Sequence, residues 1–164
     1  MIQETITIPC TLTEAETDVA LARSELLDAF SDLEARISGL LKVGKADVKC
    51  QHLGAKVELF RKLQGISHPK RDQLAGTTAD LLPLRADIVH SRMQIRTIDG
   101  TATGIFVNSQ NQNEVHPLCR LLTAEDLRQF IRKLAQLTDE LGKLGRVSPA
   151  SSPPPPSPDA ADGP

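Results

Sequence analysis

Between Val19 and Leu40 the apolar residues Val19, Ala22, Leu26, Phe30, Leu33, Ile37 and Leu40 recur at alternating steps of three and four. That spacing predicts a helix that buries one side. Thr13-Glu-Ala-Glu16 stands before it as a capping box, in which hydroxyl and carboxylate satisfy each other's backbone N–H groups, and Gly44 follows as a stop. The predicted helix has about 30 residues and so a length of about 45 Å. This exceeds the diameter of a small domain, so part of the stripe is expected to meet something beyond the chain's own core, and a helix-paired homodimer is the natural arrangement.

A second helix is predicted from about Asp47 to Leu63, with Val48, His52, Ala55, Leu59 and Leu63 on one side, Lys49, Lys56 and Lys62 on the other, and Gly65 as its stop. A third begins after Ser67-His68-Pro69, where Pro69 suits a first turn, and carries Leu74, Thr78, Leu81, Arg85, Ile88 and Arg92. Pro83 interrupts it, at about 3 kcal/mol unless the helix bends or restarts, which places a bend just before Leu84-Arg85. After Met93 the period falls to that of a strand. Gln94–Ile98 and Thr103–Val107 flank Asp99-Gly100, the strongest short signal of a two-residue turn, so a β-hairpin is predicted over about residues 93–108. Asn108 to Asn113 reads as a polar loop. Thr123-Ala-Glu-Asp126 then caps a last helix with the stripe Leu127, Phe130 or Ile131, Leu134, Leu137, Leu141 and Leu144, closed by Gly145.

The predicted fold class is therefore mainly α: a four-helix bundle with a β-hairpin inserted before the last helix. Residues 1–12 form an extended arm in which Glu4-Thr-Ile-Thr-Ile8 alternates like a short strand, residues 13–146 form the helical domain, and residues 147–164 form a disordered tail. Seven of the 11 prolines lie between Pro149 and Pro164, giving the tail polyproline II character at Pro153–Pro156. A solubilising extension is the plainer reading of that run beside a ligand for an aromatic-grooved adaptor.

Charge narrows the function classes. The chain has 19 Lys and Arg against 21 Asp and Glu, and without Asp159 and Asp162 of the tail the rest is neutral. A broad, sequence-independent grip on nucleic acid, which draws on a large positive excess, is excluded. With four Phe and no Tyr or Trp, a platform for stacking single-stranded bases is excluded as well. The first residues lack the basic and apolar regions of a leader, and no apolar run is long enough to cross a bilayer, which implies a cytoplasmic protein without a membrane partner. Cys10, Cys50 and Cys119 are odd in number and widely spaced, as expected of reduced thiols. Cys50, His52, His116 and Cys119 are the ligand types of a zinc site, but Cys-x-His is tighter than the usual pairs, so no metal and no cofactor are assigned.

One short segment carries chemistry. Leu84-Arg85-Ala-Asp-Ile-Val-His90-Ser91 places a guanidinium and an imidazole five residues apart on the third helix, about 140° from one another around its axis. A guanidinium can hold a phosphate through two parallel hydrogen bonds, and an imidazole titrating near neutrality can move a proton. Together they are the minimum for cleaving a phosphodiester without a metal. Asp87, three residues before His90, is within reach of the ring, and Arg92 and Arg96 carry the positive charge into the first hairpin strand. The plainer alternative is a satisfied surface, with Arg85 bonded to Asp80 or Asp87 and His90 favoured at the helix C-terminus by the dipole.

The long first helix, the second helix, a third carrying Leu81-x-x-Leu84-Arg85-x-x-Ile88-Val89-His90-Ser91 and a final amphipathic helix resemble the HEPN (higher eukaryotes and prokaryotes nucleotide-binding) superfamily over roughly residues 13–145. Members often carry an Arg-x4–6-His motif, pair so that two motifs face one cleft, and cleave RNA without metal, commonly as toxins or phage-defence effectors. The resemblance implies that Arg85 holds the scissile phosphate while His90 activates the ribose 2′-hydroxyl or protonates the leaving oxygen, with Asp87, Ser91, Arg92 and Arg96 in support. It also implies a homodimer, RNA as substrate and an antitoxin or other protein partner. The residue after the arginine, usually polar in catalytic members, is Ala86 here. The alternative implied is a non-catalytic dimerisation or interaction module.

Overall fold

The structure, a computed structural model, describes residues 11–44, 46, 52–64, 66, 68–108 and 119–144. These form α1 (Glu14–Val43), α2 (Leu53–Arg61), α3 (His68–His90), β1 (Ser91–Ile98), β2 (Thr101–Asn108), β3 (Cys119–Thr123) and α4 (Ala124–Leu144). The chain is thus mainly helical with a three-stranded antiparallel sheet in the order β1-β2-β3. The arm strand at 4–8, the polar loop after Asn108 and the proline tail lie outside the described residues.

The capping box forms as its residues dictate: Thr13 N donates to Glu16 Oε2 at 2.8 Å and Glu16 N donates to Thr13 Oγ1 at 3.2 Å. Behind it every member of the α1 stripe is buried. This corrects the expectation that the helix overhangs its own core. The stripe is covered along its length by α2, α3, α4 and the sheet, so helix length alone gives no ground for a second chain. α4 runs alongside in the same direction, with Arg128 paired to Asp18 near one end and Arg36 against Gly142 near the other. Leu127, Leu134, Leu137 and Leu141 of α4 close the core from that side. Its start is a second box, with Thr123 N donating to Asp126 Oδ2 at 2.9 Å and Asp126 N donating to Thr123 Oγ1 at 3.2 Å.

Residues 47–51 of the expected second helix lie outside the described residues, and α2 itself, Leu53–Arg61, is turned relative to the expectation. His52 caps it, its Nδ1 accepting from Ala55 N at 3.2 Å, and the buried side is Leu53, Val57, Phe60 and Leu63 rather than the row through Ala55 and Leu59. Both rows have helical spacing. The cap sets where the helix starts and thereby which row meets α1. Pro83 leaves α3 continuous, with no restart at Leu84. The proline is exposed, so the hydrogen bond it removes is on a side where water can serve the freed carbonyl. α3 ends at His90, which puts Arg92 on a strand and not on the helix.

The hairpin turn is of type I′, with Asp99 at φ 49° and Gly100 at φ 77°. The sheet's inner face carries Phe106 and Leu122 against the helices, and Gly104 lets α1 come close. A Cβ there would stand 2.9 Å from the Phe106 ring and 3.2 Å from Val19 Cγ1. β3 is an addition to the predicted hairpin. Its Leu121 and Leu122 are adjacent, without the alternation that marks a strand in sequence, and it exists through pairing with β2, Leu122 opposite Gly104 and Arg120 opposite Phe106.

Candidate functional site

The C-terminal half of α3 holds the residues singled out for chemistry, and the helix turns them to different flanks. Arg85 and Asp87 are about 160° apart around the axis, and His90 lies about 60° from Asp87. Arg85 reaches to α1, where its Nη2 is 3.4 Å from Glu34 Oε2, while the other oxygen of Glu34 accepts from Lys56 Nζ of α2 at 2.7 Å. A single carboxylate thus ties three helices together. On the other flank Asp87 Oδ2 accepts from Arg120 of β3 twice, from Nε at 2.9 Å and from Nη2 at 2.7 Å. The plainer alternative foresaw an ion pair for Arg85, but with Asp80 or Asp87, and the partner is instead 51 residues away.

His90 is the last residue of α3 and is exposed. Ser91, next to it, turns inward: the residue is 8% exposed, and its hydroxyl is buried without a hydrogen-bond partner among the described residues. Arg23 of α1 approaches the same junction, its Nη2 donating to Ile88 O at 3.1 Å and so satisfying one of the last carbonyls of α3. Arg92 and Arg96 follow on β1, both exposed on the outer face of the sheet. At the start of α1 the Thr13 backbone N–H and hydroxyl hold the Glu16 carboxyl below its usual range, and the positive charge of Arg96 adds to the effect.

Sequence reasoning missed Glu34, Lys56 and Arg120. Each is an ordinary surface-type residue in its own segment, and nothing nearby in sequence marks it. The arrangement places a cation–carboxylate pair on each flank of α3 and an exposed imidazole at its end. A groove of about 640 Å³ along α1 and α4, lined by Asp32, Arg36, Gly39 and Thr138 among others, involves neither Arg85 nor His90. Among the described residues no group of three or more His, Cys, Asp or Glu is placed to hold a metal ion. Of the four residues with zinc-ligand chemistry, Cys50 and His116 lie outside the described residues, His52 caps α2, and Cys119 is exposed on β3. No helix among the described residues is long and apolar enough to cross a membrane. Compared with protein-family models, with curated proteins and with solved structures, the chain finds no match.

Proposed function

We propose that the chain is a HEPN-like helical domain, a four-helix bundle in layout with the sheet inserted before its last helix, that works in the cytoplasm as an interaction module without turnover. The observation that carries this reading is the Lys56–Glu34–Arg85 node. A phosphate gripped by Arg85 has to displace or stand beside a carboxylate 3.4 Å away, which repels it. His90 stands about 140° around α3 from Arg85, so one phosphodiester touching both side chains of a single chain is disfavoured. Composition points the same way: Phe30, Phe60 and Phe106 are in the core, and the half-buried Phe130, with Lys133 over its ring, is a single ring where a platform for RNA bases needs several. The binding surface in this reading is the exposed, cationic end of α3 and β1 with His90, Arg92 and Arg96, and its occupant is a protein.

The second reading is the metal-independent endoribonuclease, a toxin or phage-defence effector kept in check by an antitoxin. It is favoured by the exposure of His90 at a helix end continuous with two exposed arginines. In it a homodimer sets Arg85 of one chain near His90 of the other across a cleft. Purified protein incubated with RNA in EDTA separates the readings. Intact RNA at high protein concentration is the expected result, whereas cleavage that His90→Ala abolishes while the fold persists makes the chain an enzyme.

A further inference from the structure

β1 is an edge strand: it pairs with β2 and, among the described residues, with nothing on its other side. The register decides which of its backbone groups are left over. Around a two-residue turn the closing pair, Ile98 and Thr101, exchanges both backbone hydrogen bonds, and pairs alternate from there. Arg92, Gln94 and Arg96 therefore direct their N–H and C=O groups toward β2. Met93, Ile95 and Thr97 direct theirs to the open edge. Side chains alternate as well, with Arg92, Gln94 and Arg96 exposed on the outer face and Met93 and Ile95 half-buried at the rim of the core. Neither proline nor a carboxylate within β1 blunts the edge.

We infer that this edge accepts an extended acidic segment of a partner protein as a fourth strand. The inference rests on the reading of the chain as an interaction module and names what that module takes. Main-chain hydrogen bonds to Met93, Ile95 and Thr97 supply the docking, and alternating side chains supply the selection. Two carboxylates four residues apart stand opposite Arg92 and Arg96, and apolar residues at the intervening positions of the other face cover Met93 and Ile95. A second copy of β1 is a poor occupant: antiparallel self-pairing about Gln94 sets arginine directly against arginine, which destabilises. Nucleic acid is also a poor occupant. The same outer face carries Ile105 and the exposed Ile98 and Leu121, 37% and 53% accessible, where a phosphate backbone requires cations.

The test uses the full chain and a fluorescein-labelled peptide with the core Glu-Val-Thr-Val-Glu, followed by anisotropy. Saturable binding is expected, weakened about tenfold by Arg92→Glu with Arg96→Glu and lost when the two peptide valines are N-methylated, a change that keeps every charge. Amide hydrogen exchange at Met93, Ile95 and Thr97 is expected to slow in the complex. Absence of saturable binding overturns the inference, as does equal binding of the N-methylated peptide, which leaves charge contact without strand addition. Displacement of the peptide by a single-stranded RNA that binds more tightly through the same arginines overturns it in favour of nucleic acid. The RNA cleavage assay reads His90 and is independent of these outcomes, so failure of the strand and failure of the non-enzymatic reading are told apart.

Discussion

Removing the charge of Glu34 leaves Lys56 and Arg85 facing each other without a counterion. The side chains of Lys56, Glu34 and Arg85 are 13%, 25% and 32% exposed, between the surface and the buried limit. At an effective dielectric of about 20, the gross attraction is about 6 kcal/mol across the 2.7 Å contact to Lys56 and about 5 kcal/mol across the 3.4 Å contact to Arg85. Desolvation offsets most of the first, and solvent screening weakens the second further because Arg85 keeps more water and its contact is longer. A net coupling of about 1.5 kcal/mol to Lys56 and about 0.5 kcal/mol to Arg85 remains, so Glu34→Gln is expected to destabilise by about 2 kcal/mol. That corresponds to a fall in Tm of about 8 °C. Urea unfolding followed by circular dichroism, run as two double-mutant cycles with Lys56→Met and Arg85→Met, measures both couplings. A coupling to Arg85 as large as that to Lys56 refutes the ranking by burial. Zero coupling to Arg85 refutes more, because it removes the observation that carries the proposed function.

Gly100→Ala puts a Cβ at φ 77° in the type I′ turn and is expected to cost about 1 kcal/mol; unchanged stability in thermal unfolding contradicts the turn assignment. Gly104→Ala brings a methyl group to 2.9 Å from the Phe106 ring and is expected to cost about 1–3 kcal/mol in urea unfolding, with neutrality showing that α1 is not held that close. Glu140, bonded by Lys143 and Lys70, has its carboxyl lowered from 4.5 to about 2. Because the folded value is the lower one, its contribution is fully present above about pH 4.5 and is lost as pH falls toward 2. The stability gap between the wild type and Glu140→Gln should therefore narrow over that window, and a gap constant from pH 6 to pH 2 contradicts the pairing.

Much of the fold was legible because its causes are local. The α1 stripe, the boxes at Thr13 and Thr123 and the Asp99-Gly100 turn each state their structure within a few neighbouring residues, and all four stand as read. α2 was misread because two rows of equal spacing compete, and only the cap at His52 and the surface of α1 choose between them. β3 was missed for a related reason: Leu121-Leu122 has no period of its own, and its strand is made by β2. At the site, sequence could find Arg85, Asp87 and His90 and predict their angles around the helix. Their partners could not be read, since Glu34 and Arg120 lie 51 and 33 residues away and ion pairs leave no periodic trace. Periodicity, caps and turns thus settle which segments are helix or strand and which side of most of them is apolar, since each depends on residues within one or two turns. Which cation meets which carboxylate, and whether a long apolar stripe needs a second chain, depend on distances between segments, and these exist only once the chain has packed.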